Sequence, residues 1–381
     1  MLPDDCWPVS VNDHLAEPAT LFARGLAAGD RARGPHLVEI PGGFQGWNIG
    51  GRILPVSKYL SGPLLRADPA VRQTRYEHLA PLGWDPAARL VAMDAERVAV
   101  NTVLPQAIGF AGDRLRFLYD KRLWAECVRA YNDFLFGEFC SYAPERLCGL
   151  AILPLADPDA MIAEISRVAR LGARGVSLPH DPGQLGLDSY HRSSWVRVFD
   201  AADDAGLPIF IHLATAGFDW PEEWQPDYRP DGAQVMWSFL EPAWAACDLV
   251  FSPLLTERPK RRIVLLEGNL SWLPYFEERC DFAVNKRPAS QPRRPTSQVA
   301  HDQLMGSFLR DPVAIRWRRD IGLDRFLWQG DYPHIDSLWP DSRTELAAQL
   351  ADVPDAEARQ IAEGNARRLL RLPATWTPPK K

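Results

Sequence analysis

From about residue 98 onward, short apolar runs alternate with longer stretches whose apolar residues recur at helical spacing. Val98–Leu104 is a short apolar strand ending at Pro105, and Asp120–Tyr142 carries Leu, Trp, Phe and Tyr at the spacing of a helix. Cys148–Leu155 is a buried strand, followed by Asp157, an N-cap for a helix over Pro158–Leu171. Gly175–Leu178 is a strand ending at Pro179-His180. A helix over Ser194–Ala205 stops at Gly206, and Pro208–His212 is a strand that ends in a histidine. Arg262–Glu267 is a strand ending in a glutamate, Trp272–Cys280 is helical, and Arg325–Asp331 is a strand ending in an aspartate. Arg343–Leu370 supplies the closing helices. Such alternation predicts a parallel α/β sheet.

The first 70 or so residues are irregular, with turns at Pro41-Gly42-Gly43 and Gly50-Gly51 and a small hairpin expected around Trp47 and Ile53. Arg287–Thr296, rich in Pro, Arg and Ser, reads as a mobile loop. There is no internal repeat and no second domain. The expectation is one domain over 1–381, with the first strand and an irregular extension in 1–95 and the rest in 96–375.

Three of these strands end in a side chain able to bind a metal or move a proton: His212, Glu267 and Asp331. In a (β/α)8 (TIM) barrel the active site lies at the C-terminal strand ends, so residues far apart in sequence converge on one pocket. That is the fold expected, with an N-terminal extension and long loop insertions.

Composition narrows the function. A chain of 381 residues suits one barrel with insertions, and 46% hydrophobic residues can bury a large core. The net charge of −6, from 43 basic and 49 acidic side chains, argues against a nucleic-acid binder or a polybasic membrane contact. No apolar run approaches the roughly 20 residues of a membrane span. Met1–Ser10 has neither a basic nor an apolar leader segment, so a cytoplasmic protein is expected. The six cysteines include no C-x-x-C pair and read as reduced, mostly buried thiols. Fourteen Trp and 34 Pro suggest a loop-rich protein with aromatic-lined clefts.

The opening Val9-Ser10-Val11-Asn12-Asp13-His14-Leu15-Ala16-Glu17-Pro18 is a short strand running into a polar turn. It resembles the D-x-H-x-x-E-P start of the amidohydrolase-2 family, the group in the amidohydrolase superfamily that includes aminocarboxymuconate-semialdehyde decarboxylase and related aromatic-acid decarboxylases. Further segments resemble the same pattern in order: Gly46–Arg52, Trp84-Asp85-Pro86, Arg89–Asp94, Tyr131–Phe134, Pro144–Leu155 and Leu207–His212. The strongest is Trp328-Gln329-Gly330-Asp331-Tyr332-Pro333-His334, similar to the G-S/T-D-x-P-H signature, and Asn365–Leu369 resembles the C-terminal N-A-x-x-L.

The resemblance implies a divalent metal, Zn²⁺ by preference, bound by His14, His212 and Asp331, with Asp331 also moving a proton. Asp331, Glu267 and His334 are the catalytic candidates, His334 either contacting substrate or orienting Asp331. His180, Trp272 and Arg52 are the substrate-contact candidates, though simple packing of the extension suits Arg52 and Trp47 better than a reach over the cavity mouth. Two departures bear on this transfer. Asn12 stands where the family has Asp, Glu or His, so the metal is bound more weakly, or Glu17 or a water replaces the contact, or the metal is lost. Glu267 stands where the decarboxylases carry a catalytic His, which tilts the expectation toward hydrolysis of a small carbonyl- or carboxylate-containing molecule by metal-activated water. Non-oxidative decarboxylation of an aromatic acid and metal-free acid–base cyclisation or isomerisation are the alternatives. A non-catalytic barrel is disfavoured, because burying these polar residues without a role is costly. The partner expected is a small molecule, with a homodimer left open.

Overall fold

The computed structural model describes residues 1–56, 75–79, 83–216, 231–286 and 294–373. Eleven strands are described: β1 (Val9–Leu15), β2 (His36–Ile40), β3 (Phe44–Ile49), β4 (Arg52–Pro55), β5 (Val100–Pro105), β6 (Leu147–Ala151), β7 (Gly175–Leu178), β8 (Ile209–His212), β9 (Ile263–Leu266), β10 (Leu304–Phe308) and β11 (Phe326–Trp328). Eight of them form one parallel sheet in the order β1-β5-β6-β7-β8-β9-β10-β11. Just past β11 the sheet meets itself: Asp331 N–H donates to the Asn12 carbonyl at 2.9 Å, and His14 N–H to the Tyr332 carbonyl at 2.8 Å. With helices between successive strands, this is the expected (β/α)8 barrel.

Alternate residues of each strand fill its interior. Val9, Val11, Val100, Leu104, Cys148, Leu150, Phe210, Val264, Leu266, Met305 and Leu327 form one buried cluster inside, while a larger cluster joins the strands' outer faces to the helices. Helix Pro158–Leu171 lies where expected, and the Asp157 carboxylate accepts from Asp159 N–H at 2.9 Å. The stretch Asp120–Tyr142 is helix Lys121–Phe134 continued by a widened turn at Leu135–Phe139 and a tight one at Cys140–Tyr142.

Strand β10 has no counterpart among the strands read from the sequence. Helix Thr296–Gln303 runs straight into Leu304 with no Gly or Pro between them, and Gly306-Ser307 interrupts the apolar run. Gly306 is required there, since a Cβ would stand 2.8 Å from Leu270 Cγ and 3.1 Å from the Asn269 carbonyl. The loop expected over Arg287–Thr296 lies largely outside the described residues, and Thr296 already belongs to the helix.

The hairpin around Trp47 and Ile53 is three strands, the antiparallel sheet β2-β3-β4. At its β3–β4 turn Gly50 has φ +60°, and a Cβ there would lie 1.8 Å from the Phe117 carbonyl, so only glycine lets this sheet close on the barrel. All six cysteines are free, and five are buried. Among the described residues no helix is long and apolar enough to cross a membrane.

Candidate metal centre and active site

Four strand ends build one buried cluster. In β1 the register shifts between Ser10 and Asp13. The extra residue lets Asn12 and His14 follow Val9 and Val11 onto the inner face. His212 follows Phe210 at strand period on β8. Glu267 follows Leu266, so strict alternation would send it outward. Instead its φ of +62° turns the chain and brings the carboxylate in. Asp331 has φ +55° and Ala214, two residues past His212, +57°. Such conformations cost about 1–3 kcal/mol each for residues with a Cβ and persist only where the surroundings hold them. Glu267 N–H donates to Ser307 Oγ at 2.9 Å, and Asp331 N–H to the Asn12 carbonyl.

The side chains meet closely. His14 Nε2 lies 2.6 Å from Asp331 Oδ1 and 3.6 Å from Glu267 Oε1. His212 Nε2 lies 3.1 Å from the same Glu267 oxygen, which also accepts from Asn12 Nδ2 at 2.7 Å. His334 Nδ1 is 3.0 Å from Asp331 Oδ2 and 3.8 Å from Asp336 Oδ2. Phe110 forms an apolar wall, its ring 4.1 Å from that of His212 and 4.9 Å from that of His14. Burial disfavours charge on His14, but the Asp331 and Glu267 carboxylates outweigh it and raise its pKa to about 10. Burial likewise disfavours the Glu267 carboxylate, yet the charge of His212, with His14 beside it, holds it well below the usual range.

These residues fit a divalent cation. His212 Nδ1 lies 2.7 Å from the Leu213 carbonyl, which places the ring proton there. Nε2, buried, is the nitrogen left to point at the Glu267 carboxylate oxygen 3.1 Å away. Two lone pairs face each other unless a proton or a cation lies between them. Ligand atoms of His14, His212 and Glu267 all lie within 4.8 Å of one another, and a second such group joins Asp331, His334 and Asp336. The third atom of the central group therefore comes from Glu267, expected as a catalytic group, whereas Asp331 touches it through His14.

Glu17 is not the replacement ligand. Its carboxylate accepts from the backbone N–H groups of Gln106, Ala107 and Ile108 at 3.1, 2.9 and 3.1 Å, tying the end of β1 to the end of β5. Glu17→Ala should leave ion affinity unchanged while lowering unfolding stability by about 3 kcal/mol or more, since two buried donors and one half-buried donor lose their acceptor. Denaturant unfolding alongside a metal titration checks both halves, and a large loss of affinity would return Glu17 to the ion.

The other expected residues have different roles. His180, buried after β7, has Nδ1 3.5 Å from Glu241 Oε2, and its backbone N–H donates to Thr215 Oγ1 at 2.8 Å. Burial lowers the His180 pKa to about 4 and raises that of Glu241 to about 7. The Trp272 indole N–H is used on the Gly268 carbonyl at 2.9 Å, bracing the loop behind Glu267. Arg52 lies on β4 with its guanidinium 4.7 Å over the Phe117 ring. Sequence reasoning missed Phe110, Glu241 and Asp336. Asp336 alone had a signal, an acid two residues beyond His334.

Comparison with known proteins bears on this geometry. The chain is 28% identical over 304 residues to a gamma-resorcylate decarboxylase of Rhizobium sp. (strain MTP-10005), covering 74% of this chain and 86% of that one. An amidohydrolase from Mycobacterium avium subsp. paratuberculosis K-10 shares the fold at TM-score 0.79 and 22% identity, covering 97% of this chain and 98% of its own. A dihydroxybenzoic acid decarboxylase from Polaromonas sp. JS666, solved with manganese and the inhibitor 2-nitroresorcinol, superposes at TM-score 0.63 and 20% identity over 96% and 97% of the two chains. A family model described as amidohydrolase matches residues 77–372. That match runs from the end of the N-terminal extension through β5 to β11 and the closing helices, and the chain therefore belongs to the amidohydrolase family.

Proposed function

We propose that this enzyme removes CO₂ from a hydroxylated aromatic carboxylate without an oxidant, with a divalent ion held by His14, His212 and Glu267 and a proton delivered by Asp331. The observation that carries this reading is the unequal treatment of the two buried carboxylates. Glu267 is surrounded by Asn12, His14 and His212, the environment of a ligand. Asp331 turns its second oxygen to His334, an imidazole outside the central group, which gives it the partner a proton carrier needs. The likeness to gamma-resorcylate decarboxylase supports the substrate class. Hydrolysis, the first expectation, needs one group to activate water and another to protonate the leaving group. Decarboxylation needs a single proton placed on carbon, which suits one carboxyl outside the central ligand group.

A bound divalent ion would neutralise the carboxylates and polarise the substrate oxygens beside the departing group. Two imidazoles and a carboxylate suit Zn²⁺ or Mn²⁺. Asp331 would carry the proton to the ring carbon that bears the carboxylate. As that C–C bond breaks, its electron pair stays on the ring carbon and takes the Asp331 proton, and CO₂ leaves. His334, hydrogen-bonded to the other Asp331 oxygen, restores the proton. Phe110 keeps water from the reacting carbon.

Incubation of Mn²⁺-loaded protein with 2,6-dihydroxybenzoate and other ortho-hydroxybenzoates should release CO₂ and the corresponding phenol. In D₂O, one deuterium should appear at the vacated carbon. Turnover of an ester, lactone or amide panel, with no CO₂ from any hydroxybenzoate, would restore the hydrolytic reading.

A further inference from the structure

The backbone that carries His14 and Asp331 is itself gripped from outside the barrel. Helix Pro86–Ala95, the last element of the N-terminal extension, sends Arg89 into the seam where β1 meets the segment after β11. Arg89 is fully buried. Its guanidinium donates to the His14 carbonyl at 2.6 Å and, more loosely, to the Tyr332 carbonyl and Asn101 Oδ1, both at 3.4 Å. It also stacks over the Tyr332 ring at 4.9 Å. Asp13, pointing out of the barrel between the inward-facing Asn12 and His14, accepts from Tyr332 N–H at 3.1 Å.

The two residues thus hold both backbone groups of Tyr332 and the carbonyl of His14. Tyr332 follows Asp331, whose left-handed conformation has to be imposed by its neighbours. A fork of fixed planar donors can bridge two carbonyls at once, which a single ammonium cannot do with the same geometry. We propose that Arg89, with Asp13, is a positioning residue for the metal centre: it fixes the spacing of His14 and Asp331 across the barrel seam. It touches neither ion nor substrate and acts through the backbone of those that do.

This inference rests on the metal-centre reading, and Mn²⁺ titration of the metal-stripped protein tests it without reference to substrate. Arg89→Lys keeps the charge and loses the fork. The variant should remain folded by circular dichroism. It should bind Mn²⁺ about 10- to 100-fold more weakly, the usual cost of losing a group that orients metal ligands, and turn over more slowly even at saturating Mn²⁺. Asp13→Asn, which keeps an acceptor for Tyr332 N–H but not the charge facing Arg89, should weaken Mn²⁺ binding about 10-fold and stands in should Arg89→Lys not fold. A lowered melting temperature with wild-type Mn²⁺ affinity and turnover in the folded variant would reduce Arg89 to a structural residue and overturn the proposal. Absence of Mn²⁺ binding by the wild type would overturn the metal centre and this proposal together. A wrong substrate class alone would leave the affinity result, and the inference, standing.

Discussion

His212→Ala is expected to abolish binding of a divalent ion and to lower turnover by about 10³-fold or more. The Nδ1 contact with the Leu213 carbonyl orients the ring, and Nε2 is the nitrogen aimed at the Glu267 oxygen. Alanine removes one of the three converging ligand atoms and leaves His14 and Glu267, too few to hold a protein-bound divalent ion tightly. Charge stabilisation by such an ion is worth several kcal/mol, and each 1.36 kcal/mol is about a factor of ten in rate, which gives the magnitude. Elemental analysis of the purified variant beside a CO₂-release assay is the measurement. Retained turnover in a variant shown to be metal-free would refute the metal reading and promote acid–base chemistry by Asp331, Glu267 and His334.

Asp331→Asn separates proton delivery from ion binding. Asparagine is the substitution of choice because, of the residues bearing a Cβ, it is among those that best tolerate the left-handed conformation that Asp331 adopts at φ +55°. The amide keeps the shape and a hydrogen-bonding oxygen beside His14, so the seam should survive. What it cannot do is carry an acidic proton to carbon. Loss of a positioned general acid costs roughly 10²–10⁴ in rate. The expected result is turnover down by about 10³-fold with Mn²⁺ still bound at His14, His212 and Glu267. Binding measured by calorimetry together with single-turnover CO₂ release distinguishes the two effects. A variant keeping more than about a tenth of wild-type turnover would remove Asp331 from the proton path. Loss of the ion along with the activity would show instead that Asp331 is a ligand, the role the sequence resemblance implied.

Most of the barrel was legible because its strands are short apolar runs bounded by strong punctuation. Pro105, Asp157, Gly206 and Pro208 each break a periodic pattern by a physical rule that needs no tertiary context. The convergence of His14, His212, Glu267 and Asp331 was legible for the same reason, since parallel strands with polar last residues leave few other arrangements. Strand β10 escaped because a helix feeds it directly and its central Gly306 is dictated by Leu270, a contact from another segment. The role of Asn12 was hidden too. As an amide it reads as a poor ligand, and only in three dimensions does its N–H₂ group anchor the Glu267 carboxylate. Glu241 could not be placed because its partners, His180 and the Ala214 backbone, lie 27 or more residues earlier. The inward turn of Glu267 depends on a left-handed residue, which no hydrophobic pattern encodes.

The closing of the sheet on itself also bears on how the molecule comes into being. The Asp331–Asn12 and His14–Tyr332 backbone bonds join segments more than 300 positions apart, and the His14–Asp331 contact spans 317. A ribosome must therefore release all eight barrel strands before the first meets its last neighbour, and until then one edge of β1 waits for a partner. Contacts of such long range are slow to form, because loop closure must precede any gain from them. The reactive centre, whose side chains come from the first, fifth, sixth and eighth strands of the barrel, is complete only when this last pairing forms.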